Sequence, residues 1–430
     1  MTMTNTRRTL CVPKRVSIAR PHGAAFSSSS TGLYQQKSRP LFVDSDAGFD
    51  DILAISSLLN TNNSERTCSS NNNTSNNTTS NTTANTTNST NSNSSAMSTS
   101  ASISIPFIST VSGIQSCPER SARFLKKIFP AAQVLPGRTQ RKLLDTSHPP
   151  RWLLDFRNGL NGIMDSFDVG VMESHRNRAD SCTAIDIDID IDKGIDIGKG
   201  IAEVLKDYAD DGVDLMCLGP LTNIASWIQD DEVFPIIQSK INRIWIMGGN
   251  IPAGTGIGTR IGSDGNAIVD DASADADANE AEFNFAQDPR AVAVVLGNKA
   301  MRDKIYILPA QTCQKYSPSV IEWNKLMDKG TKGTGILSKV LNATTSWDDL
   351  KYDPLCAFSY AMPQSISYSK MHIKVNEETG LLTRASSMGD EEEDGNDSAG
   401  VNIIVDVTID TEEGFLKWLS VGIDHDKSIS

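Results

Sequence analysis

Residues 41–59 read LFVDSDAGFDDILAISSLL, which joins a short apolar run typical of a buried strand, an acidic turn and an apolar run of helical length. Asp44 and Asp46 are two positions apart at the strand end, so both side chains can point the same way. Asp50 and Asp51 fall at the helix start, where free backbone N–H groups favour negative charge. Carboxylates this crowded repel one another, and a hard divalent cation such as Ca²⁺ or Mg²⁺ would relieve that repulsion. Ordinary capping and turn aspartates are the alternative interpretation.

Strand and helix patterns alternate along the rest of the chain. Short apolar runs predict buried strands at PLFVD, SIPFIST, VDLMCL, RIWIMGG, KIYIL and VNIIVDVTI. Helical periodicity is found in DDILAISSLL, CPERSARFLKKIF, IAEVLKDYADD, LTNIASWIQD, DPRAVAVVL, DPLCAFSYAM and EEGFLKWL. This alternation predicts an α/β fold with an open, mainly parallel central sheet flanked by helices. The functional site of such a sheet lies beyond the carboxyl ends of its strands, where the acidic turn falls.

The composition is that of an acidic globular protein. Hydrophobic residues make up 38%, and 53 Asp and Glu against 40 Lys and Arg give a formal net charge of −13. A chain with this charge is a poor general binder of nucleic acid or of anionic membranes, and no apolar run reaches the length of a membrane span. The seven cysteines are scattered without a CxxC pair, and the five histidines lack zinc-site spacing, which argues against a zinc site or a disulfide framework.

The chain divides into a leader and one large domain. Residues 1–39 contain no Asp or Glu and are rich in Arg and Ser, which is typical of an organelle transit peptide, mitochondrial ahead of plastid. An untargeted disordered tail is the alternative, so we expect a cytoplasmic or mitochondrial protein. The domain spans residues 40–424 and carries low-complexity insertions near 60–102, 183–198, 254–278 and 386–400.

The acidic turn DSDAGFDD resembles the DxDPGxDD signature of the inosine-uridine nucleoside hydrolase family. Further segments resemble that family in the same order: LGPLTNIA (218–225), IWIMGGNI (244–251), AEFNFAQDP (281–289) and YDPLCAF (352–358). The resemblance covers about residues 40–420 outside the insertions. It implies calcium-dependent hydrolysis of the N-glycosidic bond of ribonucleosides, which releases ribose and free base in nucleoside catabolism and in purine and pyrimidine salvage.

The resemblance also implies roles for individual residues. The expected calcium ligands are Asp46, Asp51, the backbone carbonyl of Leu218, and Asp353. The expected contacts to the nucleoside are Asp50, Met247, Asn279, Glu282 and Asn284. Asp46 and Tyr352 are the expected catalytic residues, since Asp46 lies near the attacking water. The implied partner is a small nucleoside, and a homodimer or homotetramer is expected by analogy.

The chain departs from the family at several positions. Tyr352 replaces a histidine, and a phenol, whose ordinary pKa is about 10, is a weaker proton donor at neutral pH. Ile114 stands where the family has a ribose-binding Asn, the family's HGxDG-like segment is NGLNG (158–162), and its PLDVT-like segment is PAQTC (309–313). A catalytically weakened nucleoside-binding homologue is therefore an alternative function. An Asp-dependent phosphatase-like hydrolase, which also places DxD after a first strand, is another.

Overall fold

The computed structural model describes residues 39–60, 103–139, 151–167, 197–251, 260–261, 267–268, 281–316, a few residues between 324 and 342, 350–385, 400–407 and 412–425. The predicted leader, apart from its last residue, and most of each predicted insertion lie outside these residues. Within the 254–278 segment, predicted to be a loop, the described residues form two short antiparallel strands, Arg260–Ile261 (β6) and Ala267–Ile268 (β7).

Eight strands form the central sheet. They are Pro40–Ser45 (β1), Ser104–Thr110 (β2), Gln133–Pro136 (β3), Val213–Cys217 (β4), Ile241–Met247 (β5), Ile305–Leu308 (β8), Ile366–Met371 (β9) and Val401–Val407 (β12). Their order is β3-β2-β1-β4-β5-β8-β12-β9. Every neighbouring pair is parallel except β12 and β9, which are antiparallel. The predicted open, mainly parallel sheet is therefore confirmed, and so are all six predicted strands. A separate two-stranded ladder joins Ile373–Val375 (β10) to Leu382–Arg384 (β11).

Helices cover both faces of the sheet. They are Phe49–Asn60 (α1), Pro118–Ile128 (α2), Arg151–Phe167 (α3), Ile197–Leu205 (α4), Thr222–Ile228 (α5), Phe234–Lys240 (α6), Phe283–Gln287 (α7), Pro289–Gly297 (α8), Ala310–Gln314 (α9), Tyr352–Ala361 (α10) and Glu412–His425 (α11). Each predicted helical pattern forms a helix. No transmembrane helix is found among the described residues.

Strand β1 lies in the middle of the sheet with an apolar cluster on each face. Leu41 and Val43 belong to one cluster, and Phe42 to the other. Alternate side chains of a strand point to opposite faces, so a strand covered on both sides is a continuous apolar run. Burying each such side chain contributes roughly 1.5–3 kcal/mol, so the acidic turn starts from a rigid base.

The acidic turn emerges at a switch point of the sheet. Strand β1 is paired on one side with β2 and on the other with β4, with Asp44 opposite Ser109 and Cys217. The connections that leave β1 and β4 therefore run to opposite halves of the sheet, because β1 leads to β2 and β4 leads to β5. Such a point opens a crevice at the carboxyl edge, which is where open α/β sheets bind their ligands.

Candidate active site

The turn between β1 and α1 folds its backbone against its own carboxylates. The Gly48 N–H donates to Asp46 Oδ1 at 3.2 Å and to Asp51 Oδ2 at 3.0 Å. A Cβ atom added at Gly48 would lie 2.8 Å from Asp50 Oδ1 and 2.9 Å from Asp51 Oδ2. A larger residue at this position would displace those two carboxylates. Ala47 has a positive φ of 61°, which sharpens the turn.

Residues far apart in the chain bring their carboxylates together at this turn. Ligand oxygens of Asp50, Asp51 and Asp353 lie within 4.8 Å of one another. Asp353 is in the first turn of α10, a helix that packs against α1. Asp46 is outside that group of three, but its carboxyl group interacts directly with that of Asp51. The three predicted metal-site aspartates and the predicted ribose contact Asp50 are thus assembled in one place.

The electrostatics of the pocket fit a hard divalent cation. Asp46, Asp51 and Asp353 are each no more than 2% exposed. Burial raises the pKa of all three carboxyl groups, and the negative charge of neighbouring aspartates adds to the rise for Asp51 and Asp353. Asp51 Oδ1 is buried without a hydrogen-bond partner among the described residues. Buried, mutually repelling carboxylate oxygens are the donors that Ca²⁺ and Mg²⁺ prefer.

Two loops close on Asp46 from the neighbouring strands. The Ile114 N–H, after β2, donates to Asp46 Oδ2 at 2.9 Å. A Cβ at Gly113 would lie 2.2 Å from that same oxygen, and one at Gly219, after β4, would lie 3.0 Å from Asp46 Cβ. Ile114, which replaces a family Asn, therefore still contacts the site through its backbone.

Asn284 links the carboxyl ends of β4 and β5. Its Nδ2 donates to the carbonyl oxygens of Leu218, at 3.1 Å, and Met247, at 3.3 Å. The predicted ligand carbonyl and two predicted nucleoside contacts are thus neighbours. A carbonyl oxygen has two lone pairs, so the Leu218 carbonyl can accept this bond and still offer a ligand. Asn279, a further predicted contact, lies outside the described residues.

Asn223, in α5, ties the same edge of the sheet together. Its Nδ2 donates to Asp44 Oδ1 at 2.8 Å and to the Thr110 carbonyl at 2.9 Å, and its Oδ1 accepts from the Arg138 N–H. Asp44 also accepts from the Ser109 hydroxyl, and burial raises its pKa to about 7. Asp44 is thus held within the sheet edge, beside the pocket that the other aspartates line.

Glu282, which was predicted as a sugar contact, also has a structural role. Its carboxylate caps α7 by accepting from the Asn284 and Phe285 N–H groups, and it also accepts from the Gly249 N–H at 2.9 Å. Burial raises its pKa from 4.5 to about 7, against the lowering effect of these bonds. Glu282 therefore joins the α7 start to the β5 end next to the pocket.

The raised pKa of Glu282 predicts a pH dependence of stability. Ionisation of Glu282 is disfavoured in the folded state, so this group destabilises the fold increasingly as the pH rises from about 4.5 to about 7, by up to about 3 kcal/mol. Glu282→Gln keeps an acceptor oxygen but cannot ionise. In chelator-treated protein, urea unfolding should show a smaller loss of stability over this interval in the variant. Parallel pH curves for the two proteins would contradict the assignment.

Tyr352 is the first residue of α10, and its hydroxyl belongs to a hydrogen-bonded chain. Gln314 Nε2 donates to Tyr352 Oη at 2.7 Å, while Lys351 Nζ donates to Gln314 Oε1 at 2.6 Å. Lys351 is fully buried, with its ammonium 5.5 Å from the centre of the Tyr352 ring. Neither Gln314 nor Lys351 was predicted from the sequence. A lysine directly before Tyr-Asp in an apolar segment was the available signal, while Gln314 carried none.

The NGLNG segment lies in the middle of α3, so in this chain it is helical. Asn161 Oδ1 accepts from Arg120 Nη1 at 2.7 Å, and the other terminal nitrogen of Arg120 donates to Asp165. These bonds dock α3 onto α2. Arg157 of the same helix donates to the loop after β2, a contact that was not predicted from the sequence.

An open α/β sheet with buried carboxylates at its switch point places the chain in the class of α/β proteins that bind a ligand at the carboxyl ends of their strands. Within that class, the chain belongs to the inosine-uridine preferring nucleoside hydrolase family, whose model matches residues 41–414. The family resemblance found in the sequence is thereby confirmed, and it makes the chain an enzyme of the nucleoside hydrolase type. No curated protein matches the chain by sequence.

Solved structures share the fold. The inosine-uridine preferring nucleoside hydrolase of Bacillus anthracis is 16% identical with a TM-score of 0.54, over 89% of this chain and 99% of that one. A purine-preferring ribonucleoside hydrolase from Gardnerella vaginalis is 18% identical with a TM-score of 0.54, over 91% and 100%. A plant nucleoside hydrolase is 14% identical with a TM-score of 0.54, over 90% and 99%. At these identities the likeness establishes the fold alone.

Proposed function

We propose that the protein is a calcium-dependent nucleoside N-ribohydrolase, which cleaves the N-glycosidic bond of ribonucleosides to give ribose and free base. The observation that carries the proposal is the meeting of Asp353 with Asp50 and Asp51 beside Asp46. The family match supports the reaction class. The proposed calcium ligands are Asp46, Asp51, the Leu218 carbonyl and Asp353; when bound, Ca²⁺ supplies charge neutralisation and polarises the attacking water.

The residues of the pocket suit the chemistry of this bond. Cleavage of a ribosyl C–N bond develops positive charge on the sugar ring, as in glycoside hydrolysis. Buried carboxylates around the ring stabilise that charge, because they act in a water-poor site where they are already in place. Asp46 takes the proton of the attacking water on a carboxylate oxygen. The N–H groups of Ile114 and Gly48 hold that carboxylate in one orientation.

The remaining predicted residues orient the nucleoside. Asp50 is the proposed acceptor for ribose hydroxyls, and Met247, Asn279, Glu282 and Asn284 complete the proposed sugar contacts. Fixing the sugar in this way spends binding energy on orientation, which lowers the barrier to attack. Tyr352 is the proposed hydrogen-bond donor to the departing base. The oligomeric state remains a prediction from the family.

A panel of substrates tests the function. The calcium-loaded protein is incubated with purine and pyrimidine ribonucleosides, and released ribose is measured. We expect ribose from at least one nucleoside. Nucleoside binding in calorimetry without any released ribose would instead identify a catalytically weakened homologue. Release of phosphate from phosphate esters in place of ribose would identify a phosphatase.

Tyr352→Phe tests the role of the hydroxyl group at the leaving base. The variant keeps the ring but removes the group that Gln314 holds, so kcat for nucleosides should fall about tenfold to a hundredfold. A 4-nitrophenyl riboside serves as the control, since its leaving group departs without help and its rate should be unchanged. Equal losses on both substrates would contradict a role at the leaving group.

A further inference from the structure

Arg157 of α3 holds the loop that follows β2. Its Nη2 donates to the Gly113 carbonyl at 3.1 Å, and its Nε donates to the Ile114 carbonyl. The planar guanidinium of Arg157 therefore binds two adjacent carbonyl oxygens. A guanidinium presents donors in a fixed fork that suits such a pair, whereas a lysine ammonium is a single point charge on a flexible stem.

The loop that Arg157 binds also contacts Asp46. The Ile114 N–H donates to Asp46 Oδ2 at 2.9 Å, and a Cβ at Gly113 would lie 2.2 Å from that oxygen. The Gly113–Ile114 segment therefore contacts the Arg157 guanidinium through its carbonyl groups and Asp46 through an N–H group. The guanidinium charge also opposes the rise that burial causes in the pKa of Asp46. A displacement of the loop would move the Ile114 N–H group that holds Asp46 Oδ2.

The docking of α3 does not depend on Arg157 alone. Arg120 of α2 independently donates to Asn161 and Asp165 of α3. Arg157 is half-buried, and its two side-chain hydrogen bonds within the described part of the chain go to the loop rather than to another helix. Its hydrogen bonds therefore act on the loop against Asp46, while Arg120 acts on the position of the helix.

We propose that Arg157 is a positioning residue for Asp46: by clamping the Gly113 and Ile114 carbonyls, it fixes the carboxylate that serves the bound cation and the attacking water. The expected effect of Arg157 on kcat rests on the proposed function. Residues that orient a metal-site group from outside the ligand set typically change metal affinity or activity by about tenfold to a hundredfold.

Matched Arg→Lys variants test this assignment. Arg157→Lys keeps the charge but loses the fork, so we expect kcat to fall about tenfold, KM for the nucleoside to stay within about twofold, and the calorimetric Kd for Ca²⁺ to rise severalfold. Arg120→Lys makes the same chemical change at the helix-docking site, and both values should stay near wild type. The melting temperature of each variant checks that it is folded.

A second variant provides a rescue. In Arg157→Ala, added guanidinium at millimolar concentration should restore part of kcat, whereas Arg120→Ala should gain nothing. Wild-type kcat and Ca²⁺ affinity in Arg157→Lys would overturn the proposal, and so would an equal loss in Arg120→Lys. If the wild type cleaves no nucleoside, the proposed function fails, and the Ca²⁺ affinities alone then decide: a weaker Kd in Arg157→Lys supports the clamp, and an unchanged Kd refutes it.

Discussion

Asp46→Asn is expected to lower kcat for nucleosides roughly a thousandfold or more while leaving the protein folded. An amide cannot take a proton from water, yet it has nearly the same size, and its one carbonyl oxygen can still accept from either the Ile114 or the Gly48 N–H group, which bond to separate oxygens of Asp46. Removing one of several crowded, buried carboxylates also relieves repulsion in the metal-free protein. Steady-state ribose release together with the melting temperature measures both effects.

Asp214→Asn is the matched control for this variant. Asp214 is as buried as Asp46 and accepts from Asn242 at 2.7 Å, but it lies near the amino end of β4, away from the crevice. Its loss should change stability without lowering kcat by more than about twofold. A similar kcat loss in both variants, or near-normal turnover in Asp46→Asn, would show that Asp46 is not the base.

Asp353→Asn is expected to weaken Ca²⁺ binding on the order of a hundredfold, because affinity for this ion depends on the charge count of the ligands. The wild type should melt at a higher temperature when Ca²⁺ is added, since a ligand of the native state stabilises by mass action. This rise in melting temperature on adding Ca²⁺ should be largely absent in Asp353→Asn. Thermal melts with Ca²⁺ and with chelator measure the difference.

The chelated proteins should show the opposite ordering. Without a cation, Asp353 adds charge to a pocket where Asp50 and Asp51 already repel one another, and burial raises its pKa further. Chelated Asp353→Asn should therefore melt at or above the temperature of chelated wild type. A variant that melts lower than wild type in chelator, and gains as much from Ca²⁺, would show that Asp353 is a structural residue and not a ligand.

Most of the fold could be predicted because the central strands are buried on both faces. Such strands contain continuous apolar runs, as in β1 and β8, and these runs are visible in a single sequence. Two strands of the central sheet were missed. Gln133–Pro136 is only 4 residues long, and Ile366–Met371 mixes polar and apolar residues because it lies at the sheet edge, half exposed.

The site was predictable where its residues are local in the sequence. The turn from Asp44 to Asp51 shows its carboxylates together, whereas Asp353 was tied to them only through the family motif that follows Tyr352. The Gln314 and Arg157 contacts were not predictable, since they join a side chain to groups that only tertiary packing brings near. Glu282 was predicted as a sugar contact. Its capping of α7 was not predicted, because a helix of 5 residues shows little periodicity in the sequence.

The most direct test of the account is the metal dependence of ribose release. The wild-type protein is stripped of divalent cations, assayed on its best nucleoside, and assayed again after Ca²⁺ is restored, with Asp353→Asn treated in parallel. We predict that activity disappears on stripping, returns with Ca²⁺ in the wild type, and returns in the variant only at much higher Ca²⁺. Full ribose release by the stripped protein would contradict the claim that these carboxylates work around a bound cation.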